Sequence, residues 1–256
     1  MYKRQVDGIV NPVRDKETID LELQLKDLET LQNFYDKNFR AAQSGDKQSQ
    51  KILVVVKKCM EFLEKGSSLR ALILEDDEIS CVNNLKLLTF KPVLYVCNVD
   101  AGSVLKGNRY VTAVKESVKD ESSEVILIAT AIEADIAEFE DFDERKFLLN
   151  EIGLSEPGVN YLIQATYKLL NLQTFFTAGK KEVKAWTVTK GTKAPQAAGV
   201  IHTDFENGFI RAEVISFNDF INLKSEQACR DAGKLISQGK EYVVCEGDII
   251  HFRFNV

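Results

Sequence analysis

The stretch KPVLYVCNVD, residues 91–100, decides how the chain is read. Val93 to Cys97 is a continuous apolar run, and Asn98, Val99 and Asp100 end it. A second run of the same kind, EVILIATA, follows at 124–131, with a charged, helix-forming segment over 108–119 between them. Strand, helix, strand with both strands apolar throughout predicts a right-handed βαβ unit whose parallel strands are covered on both faces. Ligands of such sheets sit beyond the carboxyl ends of the strands. Asn98 and Thr130 both fall there.

A strand-end Asn is commonly a turn former. It is also a reader of purine edges, because its amide both donates and accepts. In purine sites a carboxylate a few residues later selects guanine by accepting from N1–H, a donor adenine lacks. Here Asn98 is followed by Val99, Asp100 and Ala101. The phosphate half of such a site is missing from the sequence. Gly102 and Gly107 precede Asn108-Arg109, and Gly153 and Gly158 precede Val159-Asn160, so neither pair supplies the Lys and hydroxyl of G-x-x-x-x-G-K-[ST]. These glycines read as turns.

Upstream, residues 18–43 carry Leu21, Leu25, Leu28, Leu31, Tyr35 and Phe39 at gaps of three and four, one helical stripe. Ser44-Gly45-Asp46 breaks it, with Asp46 placed to cap a second helix over Lys51–Lys65 that stops at Gly66. The pair predicts an antiparallel hairpin with an arm of roughly 37 Å, its stripes packed on each other or on a core. EDDEIS at 75–80 suits the start of a short helix. Downstream of Leu172, EVKAWTVT, GFIRAEVIS and EYVVCEGDIIHFRF read as strands, with helices at APQAAGVI and SEQACRDAGKLIS. That mixture predicts a small α+β domain, with Trp186 and Phe205, Phe209, Phe252 and Phe254 as its packing residues.

Composition excludes more than it selects. Residues 172–256 hold 11 Lys and Arg against 10 Asp and Glu, leaving 22 against 29 in the front 171, so no basic field marks a nucleic-acid surface. Five cysteines, at 59, 81, 97, 229 and 245, lack C-x-x-C spacing and read as thiols of a reducing compartment, not a disulfide frame or zinc site. No apolar run approaches the ~18 residues of a membrane span. His202 and His251, the two histidines, stand beside no nucleophile motif and read as structural. The opening MYKRQ has no period and reads as a leader or a truncation scar.

Longer runs carry a resemblance. FFTAGKKEVKAWTVTKGTKAPQAAGVIHTDFENGFIRAEVISFNDFI at 175–221 and GKEYVVCEGDIIHFRFNV at 239–256 closely resemble the C-terminus of the Obg-like ATPases, the YchF family, where they form a β-grasp TGS domain. VNPVRDKETIDLELQLKDLETL at 10–31 looks like that family's entry into a coiled-coil insertion. KPVLYVCNVD looks like its strand into the base-reading Asn-x-x-Glu, and IATAIEADIAEF at 128–139 like its second base-contacting loop. Two departures stand out. Ala101 occupies the place of the usual Glu, and Ala129-Thr130-Ala131 that of Ser/Cys-Ala-Lys/Ala.

The resemblance implies an α/β protein. Its parts are a partial P-loop NTPase domain (6–17 and 85–171), an inserted antiparallel coiled-coil hairpin (18–84) and a TGS domain (172–256). It implies a truncated chain that begins after the family's phosphate loop and switch motifs. Base-site residues would be Asn98, Val99, Asp100, Ala129, Thr130 and Ala131, with no catalytic or metal-ligating residue. The family implies ATP hydrolysis with Mg2+, tolerance of GTP, ribosome association and a cytoplasmic location, with no membrane and no specific DNA binding. Without phosphate contacts, ATP and Mg2+ are expected to bind this chain very weakly at most. The rival reading is a nucleotide-independent module that docks on the ribosome or another protein.

Overall fold

The structure, a computed structural model, describes residues 9–121, 123–179 and 182–255; the MYKRQ segment lies outside the described residues. The chain divides into two compact units between Ala165 and Thr166.

In the first unit, helix α1 spans Pro12–Gln43 and α2 spans Lys47–Glu64. The Asn11 side chain accepts from Arg14 N at 3.2 Å and Pro12 opens the helix, so α1 starts six residues ahead of the expected Thr18. The domain boundary drawn at 17/18 therefore falls inside α1. Asp46 caps α2 as expected, accepting from Ser49 N at 3.0 Å. The hairpin seam follows the predicted stripe in part: Leu31 is buried in it and Leu28 and Tyr35 pack against it. Leu21 and Leu25 are more than half exposed, while Gln24, Asp27 and Leu31 are buried. From Leu31 onward the seam is apolar, with Val55, Val56, Cys59 and Leu63 of α2 joined by Leu69, Val82 and Leu87. Burial pushes the Cys59 thiol up to about 11, and it serves as packing.

Nearer its start, α1 is held by polar groups. The Asp27 carboxylate accepts from Leu88 N (2.8 Å), Thr89 N (2.7 Å) and the Thr89 hydroxyl (2.7 Å). Gln24 donates to Gly66 O at 3.3 Å. Glu121 gathers Lys16 (3.0 Å), Arg70 (3.3 Å) and the Tyr95 hydroxyl (3.1 Å), and Lys16 also meets Asp20 at 2.8 Å. Helix α3, Asp76–Val82, begins as the acidic run suggested, with the Glu78 carboxylate accepting from Glu75 N at 3.0 Å and Asp77 accepting from Glu78 N at 2.9 Å.

Strand β1 (Leu94–Asn98), helix α4 (Arg109–Ser117) and strand β2 (Glu124–Ile128) form the predicted βαβ unit, with β1 and β2 parallel and Asn98 opposite Ile128. Full cover on both faces is not observed: Val96 is 45% exposed. Helices α5 (Thr130–Ala137), α6 (Phe142–Glu151) and α7 (Gly158–Leu169) follow, where the sequence reading assigns nothing beyond the loop.

The second unit contains β3 (Leu172–Ala178), β4 (Val183–Thr189), α8 (Ala194–Ile201), α9 (Thr203–Asn207), β5 (Phe209–Ser216), α10 (Phe217–Leu223), α11 (Glu226–Asp231), β6 (Ile236–Gln238) and β7 (Asp248–Phe254). The sheet order is β4-β3-β7-β5-β6, with β3 and β7 parallel and the other neighbours antiparallel. Ala194, Ala197 and Ala198 of α8 lie on Phe175, Val188, Val214, Ile250 and Phe252, with Trp186 and Phe205 at the margin. Alanines let the helix axis approach the sheet closely. Gly208 is obligatory, because a Cβ there would stand 1.8 Å from Asn255 O. The expected helix over 225–237 stops at Asp231 and gives way to β6; Gly233 at φ +69° turns the chain.

Candidate functional site

Asn98 is the last residue of β1, and the ladder runs one bond further, from Val99 N to Ile128 O at 2.9 Å. This register places Asn98 beside the turn at Ala129, where β2 becomes α5. The Thr130 backbone N–H donates to Asn98 Oδ1 at 3.2 Å, and the Thr130 hydroxyl donates to the same oxygen at 2.8 Å. Both residues are exposed at the carboxyl end of the parallel pair.

The other expected residues divide. Ala129 is 1% exposed and, with Val99, packs in the small core of Val104, Ile136, Leu149 and Leu154, so these two offer backbone only. Asp100 turns back on its own chain, its carboxylate accepting from the Ser103 hydroxyl at 2.9 Å. Ala101 opens the short helical turn that follows. Ala131 is exposed in the first turn of α5.

Glu133 escaped the sequence reading. Its carboxylate accepts from Ala129 N at 3.4 Å and from Gly158 N at 2.6 Å, fastening the 129–131 turn to the start of α7. A Cβ at Gly158 would stand 2.5 Å from that carboxylate. The available signal was Thr130-x-x-Glu133, a helix-start pattern.

Two concavities adjoin the pair. Asn98 and Val99 border one of about 320 Å³, together with Lys16, Tyr95, Asn108 and Tyr110. Thr130 and Glu133 border another of about 860 Å³, with Arg145, Lys146 and Asn160 among its polar groups. Burial raises the Cys97 thiol above its ordinary value, so it is neutral at physiological pH. His202 caps α9, its Nδ1 accepting from Asp204 N at 3.2 Å, and His251 is exposed on β7. Among the described residues no three His, Cys, Asp or Glu side chains gather into a metal-holding set, and no helix is long and apolar enough to cross a membrane.

An α/β unit with an exposed Asn at the carboxyl end of a parallel strand pair, followed by a unit built on a mixed five-stranded sheet, defines a mixed α/β protein of two units. Residues 172–255 match the family model YchF-GTPase_C, described as a protein of unknown function (DUF933). The chain is 49% identical over 251 residues to the ribosome-binding ATPase YchF of Escherichia coli O157:H7, covering 98% of this chain and 69% of that one. It is 43% identical over 253 residues to the protein of the same name from Bacillus subtilis strain 168, with the same coverage. The solved YchF GTPase of Schizosaccharomyces pombe superposes with a TM-score of 0.86 at 33% identity, over 98% of this chain and 68% of that one. The chain belongs to the YchF family.

Proposed function

We propose that the chain works at the ribosome in the cytoplasm in a purine-nucleotide-dependent role, within a family whose full-length activity is ATP hydrolysis with GTP as a second substrate. The observation that carries this is 49% identity across 98% of the chain to a protein named as a ribosome-binding ATPase. In this reading the base lies against Asn98, with Val99, Asp100, Ala129, Thr130 and Ala131 forming the walls. Asn98 fits the role because it stands exposed at a strand terminus, where ligands of parallel sheets collect. The hairpin within 18–84 is assigned as a coiled-coil arm, residues 85–171 with 6–17 as the nucleotide domain, and 172–256 as a TGS domain of β-grasp type.

Bound to the family's nucleotide, Mg2+ would neutralise phosphate charge. The residues around Asn98 do not fit it: Asp100, the carboxylate nearest in sequence, is engaged by Ser103, and the described residues hold no metal-holding set. No catalytic step is therefore assigned to side chains of this chain.

A second reading, docking without nucleotide, is favoured by one observation: the 256 residues contain no G-x-x-x-x-G-K-[ST]. Co-sedimentation with purified Escherichia coli ribosomes separates the two. Pelleting that responds to ATP supports the first reading, and equal pelleting with and without ATP supports the second. Failure to pellet sinks the first reading and leaves of the second only docking on a protein other than the ribosome.

A further inference from the structure

Asn207-Gly208 is the one Asn-Gly pair of the sequence. Asparagine is thermolabile, because the backbone nitrogen that follows it can attack the side-chain amide. A glycine in second place leaves that nitrogen unhindered, having no Cβ. Here the fold demands the glycine. A Cβ on Gly208 would collide with Asn255 O, and Gly208 O accepts from Asn255 N at 2.8 Å. Close packing against the last strand thus places a reactive pair at the end of α9, where Asn207 is exposed and water reaches it.

The same fold withholds the reaction. Asn207 is the last residue of α9, and Gly208 N–H donates to Asp204 O at 2.9 Å. That bond occupies the proton which the nitrogen must lose. A regular helix also holds ψ at about −42°, and the imide ring closes only after ψ of Asn207 rotates out of the helix. Once α9 opens, the Gly208 nitrogen bonds to Asn207 Cγ, the Cγ–Nδ2 bond breaks, and ammonia leaves with the nitrogen's proton. Water then opens one of the two imide C–N bonds, giving either Asp or its β-linked isomer. The isomer lengthens the main chain by one carbon between residues 207 and 208. Gly208 must meet Asn255, Phe209 pairs with Phe254, and the Phe205 ring stacks on Phe254 at 3.8 Å. Nothing in this joint has room for the extra length. We propose that Asn207-Gly208 is a fold-gated deamidation site, silent while α9 is formed, whose β-linked product bars the second unit from refolding. Opening of that unit becomes irreversible through a chemical change in the open chain.

The test incubates the full chain in mildly alkaline buffer, folded in one sample and unfolded in guanidinium chloride in the other. Peptide mass mapping at Asn207 follows conversion of amide to acid, and methylation by an isoaspartyl methyltransferase reports the β-linked form. Conversion is expected at least about tenfold more slowly in the folded chain, since it waits on local opening. After dilution from guanidinium, the refolded fraction of the second unit, read by amide NMR, should fall in step with the β-linked form. Asn207→Gln, whose longer side chain closes no five-membered imide, should refold fully after the same exposure. Equal conversion in both samples, or none in the unfolded one, overturns the gated site. Full refolding of chains that carry the β-linked form overturns the bar to refolding. The comparison of folded with unfolded wild type needs no variant, so it decides even where Asn207→Gln fails to fold.

Discussion

Ala101 begins the turn that leaves Asn98, and its methyl group can neither accept nor donate. Asp100 does not compensate, because Ser103 occupies its carboxylate. Ala101→Glu is therefore expected to raise affinity for GMP over AMP, as a carboxylate there accepts guanine's N1–H in a charge-assisted bond of about 1.5–3 kcal/mol. Paired dissociation constants for both nucleotides check this; an unchanged ratio means that residue 101 does not face the base. Asn98 and Thr130 were legible in the sequence because each sits where an apolar run ends, and strand ends are local events. Glu133 was not, because Gly158, which it fastens, lies 25 residues away and nothing local announces the meeting. Asp100 is the opposite, local case: a carboxylate three residues from a serine accepts from the hydroxyl of its own turn.

At the scale of elements, the hairpin shows how an apolar stripe can lie in the seam at Leu28, Leu31 and Tyr35 and leave it toward the helix start. Leu21 and Leu25 lie on the apolar stripe, yet the seam buries Gln24 and Asp27, whose value comes from backbone groups of 66 and 88–89 that only folding delivers. The root of the hairpin hangs on Glu121. Burial alone would raise its carboxyl, but Lys16, Tyr95 and Arg70 outweigh that and hold it below the ordinary range. Burial likewise pulls the Lys16 ammonium down, and its bonds to Asp20 and Glu121 reverse this and lift it. A depressed acid stabilises the fold above its unfolded pKa and loses that contribution as pH falls through the folded value. A raised lysine contributes throughout the acid and neutral range and is lost only in strong alkali. Glu121→Gln should thus cost roughly 1.5–3 kcal/mol at neutral pH, the worth of hydrogen bonds to a charged group. The difference from wild type should shrink toward acid. Urea melts followed by helical circular dichroism, at about pH 7 and about pH 3, check it. A gap of the same size at both would place the stabilisation elsewhere.

Taken whole, the molecule joins two units with unequal means of support. The second closes one core around Phe175, Ile250 and the alanines of α8. The first has one well-packed cluster in its hairpin, a small one near Ala129, and a sheet of two strands. It also exposes Phe142 (72%), Phe147 (62%) and Val159 (51%). Residues 166–256, expressed alone, should give a dispersed amide spectrum and a cooperative urea melt; at that size a domain needs no disulfide or metal. Residues 1–165 should aggregate or melt broadly, since open strand edges and bare apolar faces invite association. The reverse result for either piece contradicts this division of labour. The two-part organisation was legible from the change in strand length and turn spacing near Leu172, whereas helices α6 and α7 were not: their exposed phenylalanines blur the polar and apolar faces that a helical period depends on.

Helix α1 is 32 residues long, about 48 Å, and its side chains between Lys16 and Asp27 bond to Gly66, Leu88, Thr89 and Glu121. Such an arm is a lever with its fulcrum at one end. A tilt of about ten degrees at the Glu121 cluster sweeps the far end, roughly 40 Å away, by about 7 Å while the root stays nearly in place. Small changes in the angle at which Lys16, Asp20 and Arg70 meet Glu121 are in this way geared up into large displacements at the Ser44–Asp46 turn.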